Sequence, residues 1–166
     1  MGLNDIHLPA NTIVDLYKTV LIEPAEIAIT VKKQADRSVN YLGNNKKHVV
    51  ILVNYPNAVY LPDAQLNFLT NILTACKLSL DDIAIINMQQ MGAVGFKELF
   101  KAVPAKSVLL FNVIPEAIAL PINFPLFQVQ SFDGISYLTA PALTEIEKDK
   151  SLKTELWTSL KKLFKL

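Results

Sequence analysis

Three short runs without a polar residue recur along the middle of the chain: Val49 to Val53 (VVILV), Ile83 to Ile86 (IAII) and Val108 to Phe111 (VLLF). Unbroken apolarity, rather than alternation, is the pattern of strands covered on both faces, as in a parallel sheet between helices. The stretches between the runs read as crossover helices. Pro62 to Lys77 places Leu66, Leu69, Leu73 and Cys76 on one stripe, with Pro62 suited to the first turn. Gly95 to Val103 (GFKELFKAV) is a shorter candidate. Strand–helix–strand–helix–strand predicts right-handed crossovers and a three-layer α/β domain with a mostly parallel central sheet and helices on both faces.

The flanks follow other rules. Residues 1–25 read as an N-terminal arm or docked short helix, because Ile13, Leu16, Tyr17 and Val20 repeat at helical spacing until Pro24. Glu26 to Val31 (EIAITV) alternates and is β-branched, which predicts a first strand and opens a single domain over 26–166. Lys32 to Lys47 is polar, carries a Gly43-Asn44-Asn45 turn signal and reads as a surface loop. Past Pro125, Leu126 to Val129 and Ile135 to Leu138 flank Asp133-Gly134 as a terminal hairpin. A long C-terminal helix then runs from about Glu145 or Ser151 to Phe164, with Leu152, Leu156, Leu160 and Leu163 as its core stripe.

Composition narrows the class. A net charge of +1 predicts no direct strong nucleic-acid binding, which usually needs a marked basic excess. The single cysteine, Cys76, excludes an intramolecular disulfide. Met1 to Pro9 lacks the form of a secretory signal, and no apolar run reaches the ~18–20 residues that span a bilayer. The expectation is a cytoplasmic protein with no membrane contact.

A search for chemistry returns no catalytic, cofactor-binding or metal-binding set. Five glycines form no phosphate loop, and neither CxxC nor HExxH occurs. His7 lies in the arm. His48 sits at the start of a strand, opposite the carboxyl ends where open α/β sheets bind ligands. All three central strands end in asparagine: Asn54, Asn87 and Asn112. Three amides on one sheet edge would suit a nucleobase or another polar ligand, giving a small-ligand-binding protein and possibly an enzyme. Against this, asparagine also serves strand-to-turn transitions by satisfying nearby backbone groups. Asp63 and Glu116 read as helix-start residues, Cys76 as a buried small hydrophobe, and Met88 and Met91 as gap-fillers or adaptable surface. On the last helix, Trp157 and Phe164 flank the leucine stripe as core periphery or a partner-docking edge, with Lys161, Lys162 and Lys165 toward solvent.

Leu138 to Leu160 (LTAPALTEIEKDKSLKTELWTSL) resembles the end of the psi subunit of bacterial DNA polymerase III holoenzyme. In that family a hairpin strand enters a "SPALT-acidic" corner and then a helix with an Ala/Glu-Leu-Trp step. Pro141, Ala142, Leu143, Thr144, Leu156 and Trp157 carry the match. Glu26-Ile27-Ala28-Ile29, Asn54 to Asp63 with Leu61-Pro62, and Leu80-Asp81-Asp82-Ile83 are also similar to the family's earlier units. The Lys32 to Lys47 and Val113 to Pro125 stretches depart from it by their length. The resemblance implies a Rossmann-like fold related to that of uracil-DNA glycosylases without their activity. It also implies a non-catalytic accessory subunit of the replicative polymerase, binding clamp-loader subunits through the arm and pairing with a chi-like subunit that contacts single-stranded-DNA-binding protein. Ile13, Leu16, Tyr17 and Val20 would then be the clamp-loader anchors.

Overall fold

A computed structural model of the protein describes residues 39–166. The predicted strand at 26–31, the arm residues Ile13, Leu16, Tyr17 and Val20, and His7 lie outside the described residues. Numbered along the described chain, the strands are β1 (Val49–Val53), β2 (Ile83–Asn87), β3 (Ser107–Phe111), β4 (Val129–Phe132) and β5 (Ile135–Ala140). The helices are α1 (Asp63–Ala75), α2 (Met88–Met91), α3 (Phe96–Ala102), α4 (Leu143–Lys148) and α5 (Lys150–Phe164), with 3-10 turns at Leu80–Asp82 and Pro115–Ile118. The strands form one sheet in the order β2-β1-β3-β5-β4. Every pair is parallel except the β4–β5 hairpin. The fold is α/β, with a mostly parallel five-stranded sheet and a C-terminal helix.

The apolar runs are strands because each residue of β1 has somewhere dry to go. Val49, Ile51 and Val53 join one buried cluster with Ile83, Ile85, Leu109 and Phe111 from neighbouring strands. Leu69 and Leu73 of α1, Leu143 and Ile146 of α4, and Leu156 and Leu160 of α5 pack into that same cluster. Val50 and Leu52 join a second cluster with Ala84, Ile86, Val108, Leu110 and Tyr137, against Leu99 of α3, Val103, Ile118 and Phe124. The period-2 alternation of a strand sends successive side chains to opposite clusters. In the second cluster the Tyr137 ring stacks on Phe124 at 5.2 Å, and burial pushes its phenol up to about 12.

Helix ends match local chemistry. Pro62 caps α1 in an extended conformation, and its carbonyl accepts from the Leu66 N–H at 2.9 Å. Lys77, with φ of 58°, closes the far end, and the Leu78 N–H reaches back to the Leu73 carbonyl. The final helix begins at Lys150, beside the expected Ser151 start, and the Glu145 stretch forms a separate helix, α4. Asp149 adopts an extended conformation between α4 and α5, and its side chain accepts from the Ser151 N–H at 2.7 Å. That bond starts α5 afresh.

Two loop expectations are corrected. The first hairpin strand is Val129–Phe132, not 126–129. Asp133 and Gly134 both have positive φ, the requirement of a tight two-residue turn. Phe132 therefore pairs with Ile135 directly at the turn. Leu126 instead makes an isolated parallel bridge to Thr139. The segment before β1 is also no plain surface loop. Leu42 and Ile85 exchange both backbone hydrogen bonds, at 2.9 and 2.8 Å, and the Asn45 N–H donates to the Ile83 carbonyl. Asn45 is buried, with its Nδ2 on the Pro104 carbonyl at 2.8 Å. Outside it, the Asn44 amide and the Lys46 ammonium contact Asp81.

Gly43 makes that pairing possible. Its φ is +112°, and a Cβ there would collide with the carbonyl oxygens of Ile83 and Leu80. Gly43→Ala is expected to lower stability by about 2–3 kcal/mol. Urea unfolding measures the loss, and hydrogen exchange is expected to quicken first at the Leu42 and Ile85 amides.

Candidate functional site

The carboxyl ends of β1, β2 and β3 lie side by side, because the three strands are parallel and in register. β1 connects to β2 on one side, while β3 lies on the other. The chain leaves β1 toward β2 on one side and leaves β3 toward the β4–β5 hairpin on the other, the switch-point geometry at which open α/β sheets form a crevice. A crevice of about 550 Å³ is present there, within the range of small-molecule sites.

Each strand supplies part of its wall. Asn54 follows β1, Met88 and Gln89 begin α2 directly after β2, and Gly92 and Ala93 follow α2. Asn112 follows β3 with a left-handed φ of 54°, and its N–H donates to the Ala140 carbonyl. Val113, Ile114 and Ala117 complete that side. Among the described residues lining the crevice none carries a charge. The Asn54 Oδ1 is shielded from solvent and finds no hydrogen-bond partner.

Asn87 does not join them. Its Nδ2 donates to the carbonyls of Tyr55 and Ala58, both at 2.7 Å, and its Oδ1 accepts from the N–H groups of Tyr55 (3.1 Å) and Gln89 (3.2 Å). The side chain is spent tying the loop after β1 to the end of β2 and capping α2. For this residue the backbone-satisfying role is correct, and the three-asparagine ligand set is reduced to Asn54 and Asn112. The Met88–Gln89–Gln90–Met91 stretch is a helical turn for the same reason: the Asn87 cap starts it. Gln89, Ala93, Val113 and Ala117 were not singled out in the sequence. Gln89 and Val113 had only position near a strand end as a signal, and Ala93 and Ala117 had none.

The other candidates separate by place. His48 stands at the amino end of β1, across the strand from Asn54, and its carbonyl accepts from Lys106 and Ser107. Asp63 and Glu116 sit in the first turns of α1 and of the 3-10 turn at 115–118, as expected. Cys76 is buried at the end of α1, and burial pushes its thiol up to about 11. Trp157 and Phe164 are half-buried and pack at the margin of the first cluster. Lys161 Nζ lies 5.2 Å from the Trp157 ring centre, and Lys153 Nζ lies 5.6 Å from that of Phe68 on α1. These contacts place lysine heads over half-buried aromatic rings, a favourable arrangement. Among the described residues no group of three or more His, Cys, Asp or Glu gathers as a metal site. None of their helices is long and apolar enough to cross a membrane.

No protein-family model matches the chain, and no curated protein matches it.

Two outcomes test this description. Asn87→Leu removes four hydrogen bonds at once and is expected to cost about 3 kcal/mol in urea unfolding. Native Cys76 is expected to resist iodoacetamide at neutral pH, because burial holds it as the neutral thiol. Mass spectrometry should find it alkylated at an appreciable rate only after denaturation.

Proposed function

We propose that the protein is a non-catalytic accessory subunit of the replicative DNA polymerase, similar to the psi subunit, with a three-layer Rossmann-like domain. It would act in the cytoplasm as a bridge between the clamp loader and a chi-like subunit or single-stranded-DNA-binding protein. The observation that carries the reading is that the psi-like residues fall on one continuous packing unit. Leu138 and Ala140 end β5, Pro141 and Ala142 turn the corner, and Leu143, Ile146, Leu156 and Leu160 are buried together in the first cluster. Similarity over such a unit supports shared architecture. The two buried clusters, one with α1, α4 and α5 and the other with α3, support the three-layer arrangement.

Partner contact in this reading rests on two places. One is the arm, with Ile13, Leu16, Tyr17 and Val20 as anchors. The other is the α5 margin, where Trp157 and Phe164 keep part of their rings at the surface; aromatics of that kind often anchor interfaces.

The test is affinity purification of the tagged full chain from its native host near physiological salt, with mass spectrometry of the bound proteins. Clamp-loader subunits are expected in the eluate. The double substitution Leu16→Ala and Tyr17→Ala is expected to reduce their recovery by about tenfold or more. An eluate with no clamp-loader, chi-like or single-stranded-DNA-binding partner would overturn the proposal.

A further inference from the structure

Positive charge is concentrated at the end of the chain. Lys150 to Lys165 holds five lysines against one acid, Glu155, a local +4 in a chain whose net charge is +1. Lys150, Lys153, Trp157, Lys161 and Phe164 recur at steps of three and four, so they share one flank of α5. By the same period Glu155 and Lys162 fall on the other flank, with Leu156, Ser159 and Leu160 buried between the two. The stripe interleaves cations and aromatic rings along about 20 Å of helix.

The flank borders α1, where Lys153 Nζ lies 5.6 Å from the Phe68 ring centre. Lys161 Nζ lies 5.2 Å from that of Trp157. Each ring steadies an ammonium without neutralising it. Lys150, Lys153 and Lys161 are exposed, and the ion pairs among the described residues, Lys46–Asp81 and Lys47–Asp82, lie elsewhere. α1 carries no acid beyond Asp63 in its first turn, and keeps Phe68 and Ile72 half-buried. Positioned ammoniums with no carboxylate of their own are complementary to a partner that brings carboxylates. Single-stranded nucleic acid fits less well, because its bases would compete with the lysine heads for the rings.

We propose that this flank of α5 docks an acidic peptide segment. Its carboxylates would meet Lys150, Lys153 and Lys161, and its apolar side chains Trp157 and Phe164. The inference deepens the α5-margin contact of the proposed function. It rests on that margin being a contact, and on neither the arm nor the identity of the subunits.

Trp157 is the chain's one tryptophan, so its own emission reports binding at the stripe. The probe is the peptide DEDLDEFEDLDE, titrated into the full chain at low salt, and the control is its amide counterpart NQNLNQFQNLNQ. The acidic peptide is expected to saturate with a Kd on the order of 100 μM, and the amide control to bind at least about tenfold more weakly. Raising the salt to physiological strength is expected to weaken the acidic peptide several-fold. Lys153→Glu with Lys161→Glu is expected to weaken it by about tenfold or more. Lys101→Glu with Lys162→Glu makes the same charge change off the stripe, and is expected to weaken it by no more than about twofold. All four lysines are exposed, and circular dichroism is expected to show both variants folded. Equal losses in the two variants would show attraction to net charge alone and overturn the stripe. Equal affinity for the amide control, an unchanged emission, or tighter binding of oligothymidine would overturn the acidic-peptide assignment. Clamp-loader recovery from the host without peptide binding would remove this inference and leave the bridging proposal standing. Peptide binding with an empty eluate would do the reverse.

Discussion

Everything in the described fold hangs on β1 being dry in all four directions. It is hydrogen-bonded to β2 on one edge and β3 on the other, and its five side chains are at most 3% exposed. A strand in that position has no solvent to fall back on, so each backbone polar group needs a neighbouring strand and each side chain an apolar partner. The helices are placed by this demand. α1, α4 and α5 answer the odd-numbered residues of β1, while α3 and the 113–124 segment answer Val50 and Leu52. The register between β1, β2 and β3 then brings Asn54, Asn87 and Asn112 to one edge.

At that edge three residues of one type take different roles. Asn87 ends the strand with both faces of its amide occupied by backbone. Asn112 uses the tolerance of asparagine for left-handed backbone to turn the chain away from β3. Asn54 is left with an acceptor that nothing answers. Residue identity was equal in all three; their surroundings were not. Only the loop after β1 folds back far enough for Tyr55 and Ala58 to engage Asn87.

The strands and the two crossover helices were legible because burial on two faces leaves a continuous apolar signature, and burial on one face leaves a stripe. Leu69, Leu73, Leu156 and Leu160 are buried where that stripe predicts. What was not legible depends on single polar groups. Which of its two expected starts the last helix takes rests on one side-chain bond at Asp149, and the helical turn at Met88–Met91 rests on the Asn87 cap. The hairpin register follows from backbone angles at Asp133 and Gly134 rather than from the apolar residues at Leu126 to Val129. Of the crevice, sequence gave the asparagines but not which of them face it. Hydrogen-bond competition among three strand ends cannot be read from spacing.

The pairing of Leu42 and Asn45 with β2 has a bearing on how the molecule keeps company with itself. An outer strand with free N–H and C=O groups is a template on which another chain can extend the sheet. Here the Ile83 carbonyl and both backbone groups of Ile85 are already taken from outside. The side of the sheet richest in isoleucine, and so the most prone to cross-chain zippering, is closed by a segment of its own chain. At the opposite margin lies β4, four residues long and carrying Gln130 and Ser131, a short and polar edge that offers little for aggregation to grow from.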